Sequence, residues 1–119
     1  MARAIRGRAA SITAADTDED IVQTPTGKEF HITRMLLSNN GPSATRVRLW
    51  DEFTEADGTV HDSTTNPVPL EDRNLQSDET VEIIAEDGIV TASGLVVAQS
   101  TVAAAFPDDV VVGVWGEFK

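Results

Sequence analysis

Cysteine and tyrosine are absent from this chain, and histidine occurs only twice. Without cysteine there are no disulfides, no thiolate nucleophile and no thiolate-ligated metal. Two histidines, His31 and His61, are too few for a histidine-rich metal centre. Aromatic residues are 5% of the sequence, and the only indoles are Trp50 and Trp115. No run of ~18 apolar residues occurs, which excludes a membrane-spanning helix, and no membrane partner is expected. Cations are scarce as well: 9 Lys and Arg face 20 Asp and Glu, a net charge of −11. A body of that sign repels a phosphate backbone, so nucleic acid is not an expected partner.

The 119 residues suffice for one domain with a real core but not for two. The few positive charges are unevenly placed. Arg3, Arg6 and Arg8 lie in the first eight residues, and setting these three against −11 leaves −14 for the rest. We therefore expect residues 1–14 to form a basic N-terminal arm or first strand, and residues 15–119 an acidic β-sandwich domain. The arm is expected to touch partner surfaces through Arg3, Arg6 and Arg8; the plainer alternative is three solvated side chains at a terminus. No apolar stretch follows the basic start, so no secretory signal peptide is expected.

Turn-forming residues punctuate the chain regularly. They occur at Asp16–Asp20, Pro25-Thr26-Gly27, Asn39–Ser43, Asp57-Gly58, Asn66–Pro69, Asp87-Gly88 and Pro107–Asp109. Between them lie short β-branched and apolar runs, read as strands over Ile5–Thr13, Ile21–Gln23, Glu29–Ser38, Thr45–Phe53, Thr80–Ala85, Ile89–Ala92, Leu95–Gln99 and Val110–Phe118. The pair around Asn39-Asn40-Gly41-Pro42-Ser43 has the form of two antiparallel strands joined by a short loop. About eight strands at this spacing predict an all-β, single-domain sandwich of jelly-roll type. Ser100–Phe106, STVAAAF, is the one piece compatible with a short helix.

Alternation along the strands sorts their faces. Val47 and Leu49 point one way, Arg46, Arg48 and Trp50 the other. Val81, Ile83 and Ala85 oppose Glu82 and Ile84. Val110, Val112, Val114 and Phe118 oppose Val111, Gly113, Trp115 and Glu117. One face of a small sandwich meets water, so apolar residues on the second face, Trp50, Ile84, Val111 and Trp115, are expected at an oligomer interface. Scattered surface apolars are the alternative.

Catalytic signals are thin. His31 lies within a strand, His61-Asp62 in a polar loop, and no phosphate loop, HExxH or Cys/His cluster occurs. No enzymatic activity, catalytic residue or cofactor is expected. Asp16-Thr17-Asp18-Glu19-Asp20 spaces carboxylates as Ca²⁺ loops do, but the sixth position is Ile21 and the twelfth Gly27, where such a loop needs glycine and glutamate. A solvated acidic turn is expected, not a metal site; Asp108-Asp109 has still less support.

The segment PTGKEFHITRMLLSNNGPSATRVRLWDEF, Pro25 to Phe53, resembles small β-sandwich structural proteins of tailed bacteriophages: a proline-glycine turn, the strand Ile32-Thr33-Arg34-Met35, an asparagine turn and the strand Val47-Arg48-Leu49. Leu75–Glu82, Asp87–Val90, Leu95–Gln99 and the closing Trp115-Gly116-Glu117 are similar to the second half of such chains. The resemblance implies a non-catalytic virion component, a capsid-decoration or tail-accessory subunit made in the host cytoplasm. It implies self-association, most readily as a homotrimer, and contact with other virion proteins. A carbohydrate- or receptor-binding β-sandwich module is the alternative, with Trp50 and Trp115 as sugar-stacking candidates. A small β-barrel hydrolase lacks a base and a nucleophile.

Overall fold

A computed structural model describes residues 5–85 and 88–119; Arg3 lies outside them. Among the described residues there are ten strands and no helix. They are β1 (Arg6–Ser11), β2 (Glu19–Gln23), β3 (Phe30–Asn39), β4 (Thr45–Thr54), β5 (Val60–His61), β6 (Pro69–Leu75), β7 (Thr80–Ile84), β8 (Val90–Ala92), β9 (Leu95–Ser100) and β10 (Val110–Phe118).

The pairing is nested. β1 pairs with β10, β2 with β9, β3 with β7 and β8, and β4 with β5 and β6, all antiparallel. This is one long hairpin, first strand against last, second against second-last. Two further pairs, β10 with β3 and β9 with β4, roll that hairpin into two sheets ordered β1-β10-β3-β7, with β8 also on β3, and β2-β9-β4-β5, with β6 also on β4. Counting β5 with β6 and β7 with β8 as single interrupted positions gives eight strands in jelly-roll order. The expected all-β sandwich is therefore the fold.

The core lies between the sheets and is aliphatic apart from Phe30. Ile12, Met35, Leu37, Leu49, Val96 and Val112 are all fully buried. Removing this surface from water is what holds the layers together, at about 25 cal/mol per Å² of apolar area. Strict alternation would not bury both halves of β3. Trp115 pairs with Arg34 and Gly116 with Ile32, leaving Thr33 as an extra residue in a bulge. The bulge switches the buried set from Phe30 and Ile32 to Met35 and Leu37. In β2 the register shift makes Ile21 the extra residue, and Ile21 and Val22 are both buried.

Two expectations are corrected. The Ser100–Phe106 run is not helical; beyond Ser100 it is an irregular loop. Side chains take the backbone groups that a helix would use: Thr45 Oγ1 accepts from Val102 N at 3.1 Å, and Ser100 Oγ donates to Val102 O at 2.7 Å. Seven residues are also too few to form an isolated helix. β5 and β6 were not expected. Asn66–Pro69 reads as a turn, yet Pro69 opens a strand at the sheet edge, where a missing N–H costs nothing.

Loops from three connections, β3–β4, β6–β7 and β9–β10, meet at one end of the sandwich. Asn39 Nδ2 donates to Ser43 O at 2.8 Å and to Gln76 O at 3.0 Å, while its Oδ1 accepts from Gly41 N at 3.1 Å. Asn40 N donates to Asp109 O at 3.1 Å. Asn39, which marks the turn in sequence, is thus buried and tethers the β6–β7 loop, while the Asn40 backbone holds the β9–β10 loop.

Candidate functional site

Below the bulge at Thr33 the row Glu117–His31–Thr91 lies on the outer face; above it, the β1-β10-β3-β7 sheet presents three rows running straight across four strands. They are Ser11–Val111–Ser38–Thr80, Ala9–Gly113–Leu36–Glu82 and Gly7–Trp115–Arg34–Ile84. Of these twelve positions only Arg34 and Glu82 carry charge, of opposite sign, and they pair at 3.0 Å. These three rows are therefore locally neutral on a chain of net charge −11. Ile84 is 66% exposed, and Val111, Leu36 and Trp115 are half-buried.

Trp115 is held in place by what its neighbours lack. A Cβ on Gly113, two residues earlier on the same strand face, would overlap indole atoms Cη2 and Cζ3; one on Gly7, directly across on β1, would lie 2.6 Å from Cδ1. The ring therefore lies against glycine backbone. The Arg34 guanidinium carbon sits 4.7 Å from the ring centroid, a cation–π contact held in position by Glu82. Gly7, Gly113, Arg34 and Leu36 were not singled out from the sequence. The glycine two positions before a tryptophan on one strand face was the available signal.

Three of the four residues expected at an interface, Ile84, Val111 and Trp115, share this face. Trp50 does not join them. It lies on the other sheet, is 7% exposed, and has the Arg48 guanidinium 5.0 Å from its ring. Its row neighbour Val97 is fully buried although it points away from the core. Loop residues cross that side: Asp18 accepts from Gln99 Nε2 at 2.6 Å and from Ser63 Oγ at 3.3 Å. Arg6 and Arg8 are exposed on β1, which is the edge strand of the first sheet.

The remaining candidates lie elsewhere. His61 stacks on Phe53 with centroids 4.5 Å apart. Its Nδ1 is 2.8 Å from Asn66 O and its Nε2 2.9 Å from Glu55 Oε2. Both partners accept, so only the imidazolium satisfies both, and Glu55, followed by the Asn66 carbonyl, raises the His61 pKa. With Glu52, Phe53, Asp62 and Leu95 it lines a shallow recess of about 290 Å³. Burial, followed by the hydrogen bond with Asp18, pushes the Glu52 carboxyl up. The backbone N–H groups of Thr64 and Thr65 hold Asp62 down, so that carboxylate closes its own turn. His31 lies 3.3 Å from Glu29. The acidic run is split: Asp18 engages Gln99, while Glu19 and Asp20 are successive residues of β2 and point to opposite faces. Asp109 is buried and accepts from Ser11 Oγ. Among the described residues no three His, Asp or Glu side chains are placed to hold an ion.

Comparison with family models, with curated proteins and with solved structures gave no match. The functional reading therefore rests on the geometry above and on the sequence resemblance.

Proposed function

We propose that this chain is a non-catalytic structural subunit of a tailed-bacteriophage particle, a capsid-decoration or tail-accessory component that assembles with itself, as a trimer in the favoured form, and with other virion proteins. The observation that carries the proposal is the three neutral, partly apolar rows on the outer face of the β1-β10-β3-β7 sheet, on an otherwise acidic body. Such a face gains from being covered, and the charge around it repels indiscriminate partners. Jelly-roll domains recur in viral capsids, which supports the reading by analogy of fold. Basic residues at the start of the chain fit contact with a neighbouring acidic subunit.

Lectin domains share the same architecture, so a carbohydrate- or receptor-binding module is the second reading. Trp115, half-buried, is the more accessible of the two indoles. A sugar ring stacking there has to compete with Arg34, which Glu82 holds in place, and this favours protein packing over sugar stacking. Light scattering at micromolar concentration tests the choice. An oligomeric mass, with Trp115 shielded from a soluble quencher and the mass falling in Ile84→Asp, is the expected result. A monomer whose Trp115 is freely quenched overturns the proposal and puts the binding module first.

A further inference from the structure

The geometry points to a head-to-tail contact in which the free edge of β7 in one copy adds to the free edge of β1 in the next, antiparallel, so that the sheet continues from subunit to subunit. This rests on the reading of the chain as self-assembling through Ile84 and Trp115.

The two edges expose matching backbone. Ile12 N donates to Val110 O at 2.8 Å. In an antiparallel ladder, residues directing their N–H and C=O at the partner strand alternate with residues directing them away. Arg6, Arg8 and Ala10 therefore bond to β10, and Gly7, Ala9 and Ser11 turn their backbone groups outward. On the opposite edge, Asn39 N donates to Glu79 O at 2.8 Å and Ala85 N to Thr33 O at 2.9 Å. Val81 and Ile83 thus bond to β3, and Thr80, Glu82 and Ile84 turn outward. Each edge presents three outward residues, and these stand at the two ends of the same three rows. A second copy displaced along the rows meets the first without sliding along the strands. Directions also agree: β1 runs parallel to β3 and β7 antiparallel to it, so β7 meets the next copy's β1 in antiparallel sense.

Side chains select this pairing over the symmetric ones. Joining β1 to a second β1 brings Arg6 and Arg8 against their own copies, and joining β7 to β7 does the same with Glu82. Like charges across a strand pair are destabilising, and charged residues on an edge strand are a known guard against self-pairing. The mixed pair avoids both clashes: Glu82, already paired with Arg34, lies across from Ala9, while Arg6 and Arg8 point to the other face of β1. In the level register Thr80 lies across from the neighbour's Ser11, Glu82 from its Ala9 and Ile84 from its Gly7. The exposed Ile84 side chain then reaches the glycine on which the neighbour's Trp115 rests, and each buries the other. A heterologous contact of this kind closes into a ring or runs on as a filament.

The absence of cysteine makes the test clean. Ala9→Cys and Glu82→Cys are prepared separately, mixed, and oxidised under mild conditions. Hydrogen-bonded antiparallel pairs have Cα atoms about 5.5 Å apart, within disulfide reach. Within one chain the two sites stand at opposite edges of four strands, at about 4.8 Å per strand spacing, too far to bridge. The expected result is a covalent dimer in the mixture, none from either variant alone, and a ladder of multimers from the double variant. Ser11→Cys with Thr80→Cys is the second pair, in case Glu82 is needed for folding. Crosslinking of either single variant with itself overturns the head-to-tail pairing, as does an oligomer by light scattering that neither mixed pair crosslinks. A monomer by light scattering removes the self-assembly reading itself.

Discussion

Gly113 is the residue on which the position of Trp115 depends most. Its Cβ would occupy the space of the indole, so Gly113→Ala has to push the ring off the sheet. Overpacking of this kind costs about 1–3 kcal/mol. We expect a loss of that size in urea unfolding together with a red-shifted Trp115 emission; unchanged stability and emission would show that the ring has another resting place. His61 is the residue whose charge matters most locally. Its pKa is raised in the folded protein, chiefly by Glu55. Its contribution to stability is therefore complete below the unfolded value near ~6.5 and is lost as pH rises through the folded value. An NMR titration should place the His61 pKa above the ordinary histidine range, and Glu55→Gln should bring it down. A midpoint in Glu55→Gln equal to that of the unaltered protein would mean that Glu55 is not the cause.

The β8–β9 turn depends on a side chain from a different strand. Asp51 on β4 is 2% exposed, and its carboxylate accepts from Ser93 N at 2.7 Å and Gly94 N at 2.8 Å. Asp51→Ala leaves both donors without that acceptor, at a cost of about 3 kcal/mol. Asp51→Asn retains one acceptor oxygen and should lose less; equal losses in the two variants by urea unfolding would count against this account. The same turn shows where sequence reading stops. Strands whose buried residues alternate, such as β4 with Val47 and Leu49 or β10 with Val110, Val112 and Val114, were legible because period-two burial is written in residue type. β6 was not, because an edge strand reading PLEDRNL buries little and opens on proline. The bulge at Thr33 and the tether from Asp51 depend on which strands become neighbours, and neither has a local signature. Of the candidate face, Ile84, Val111 and Trp115 were legible from alternation alone. That Trp50 lies on the other sheet under Arg48 follows from topology, which strand periodicity does not encode.

At the scale of the molecule, short-range attraction competes with long-range repulsion. The body is a slab of 42 × 38 × 19 Å, and each chain carries a net charge of −11. Two copies side by side have their centres little more than one Debye length apart at 0.01 M salt, roughly 30 Å, and several Debye lengths apart at physiological salt, where screening acts over about 8 Å. In the proposed head-to-tail assembly the contacts that favour association hardly depend on salt: backbone pairing along two edges and burial of Ile84 against Trp115. The exposed Arg and Glu side chains at those edges add little, about 0–1 kcal/mol per pair. Repulsion is therefore the term that salt removes. Raising sodium chloride from roughly 0.01 M to 0.15 M should shift the monomer–oligomer balance toward the oligomer, seen as a rise in light-scattering mass at fixed protein concentration. Arg6→Glu, which adds two units of negative charge at the edge, should need more salt to reach the same mass. A mass that falls with added salt would mean that ion pairs, and not the neutral rows and the sheet edges, hold the copies together.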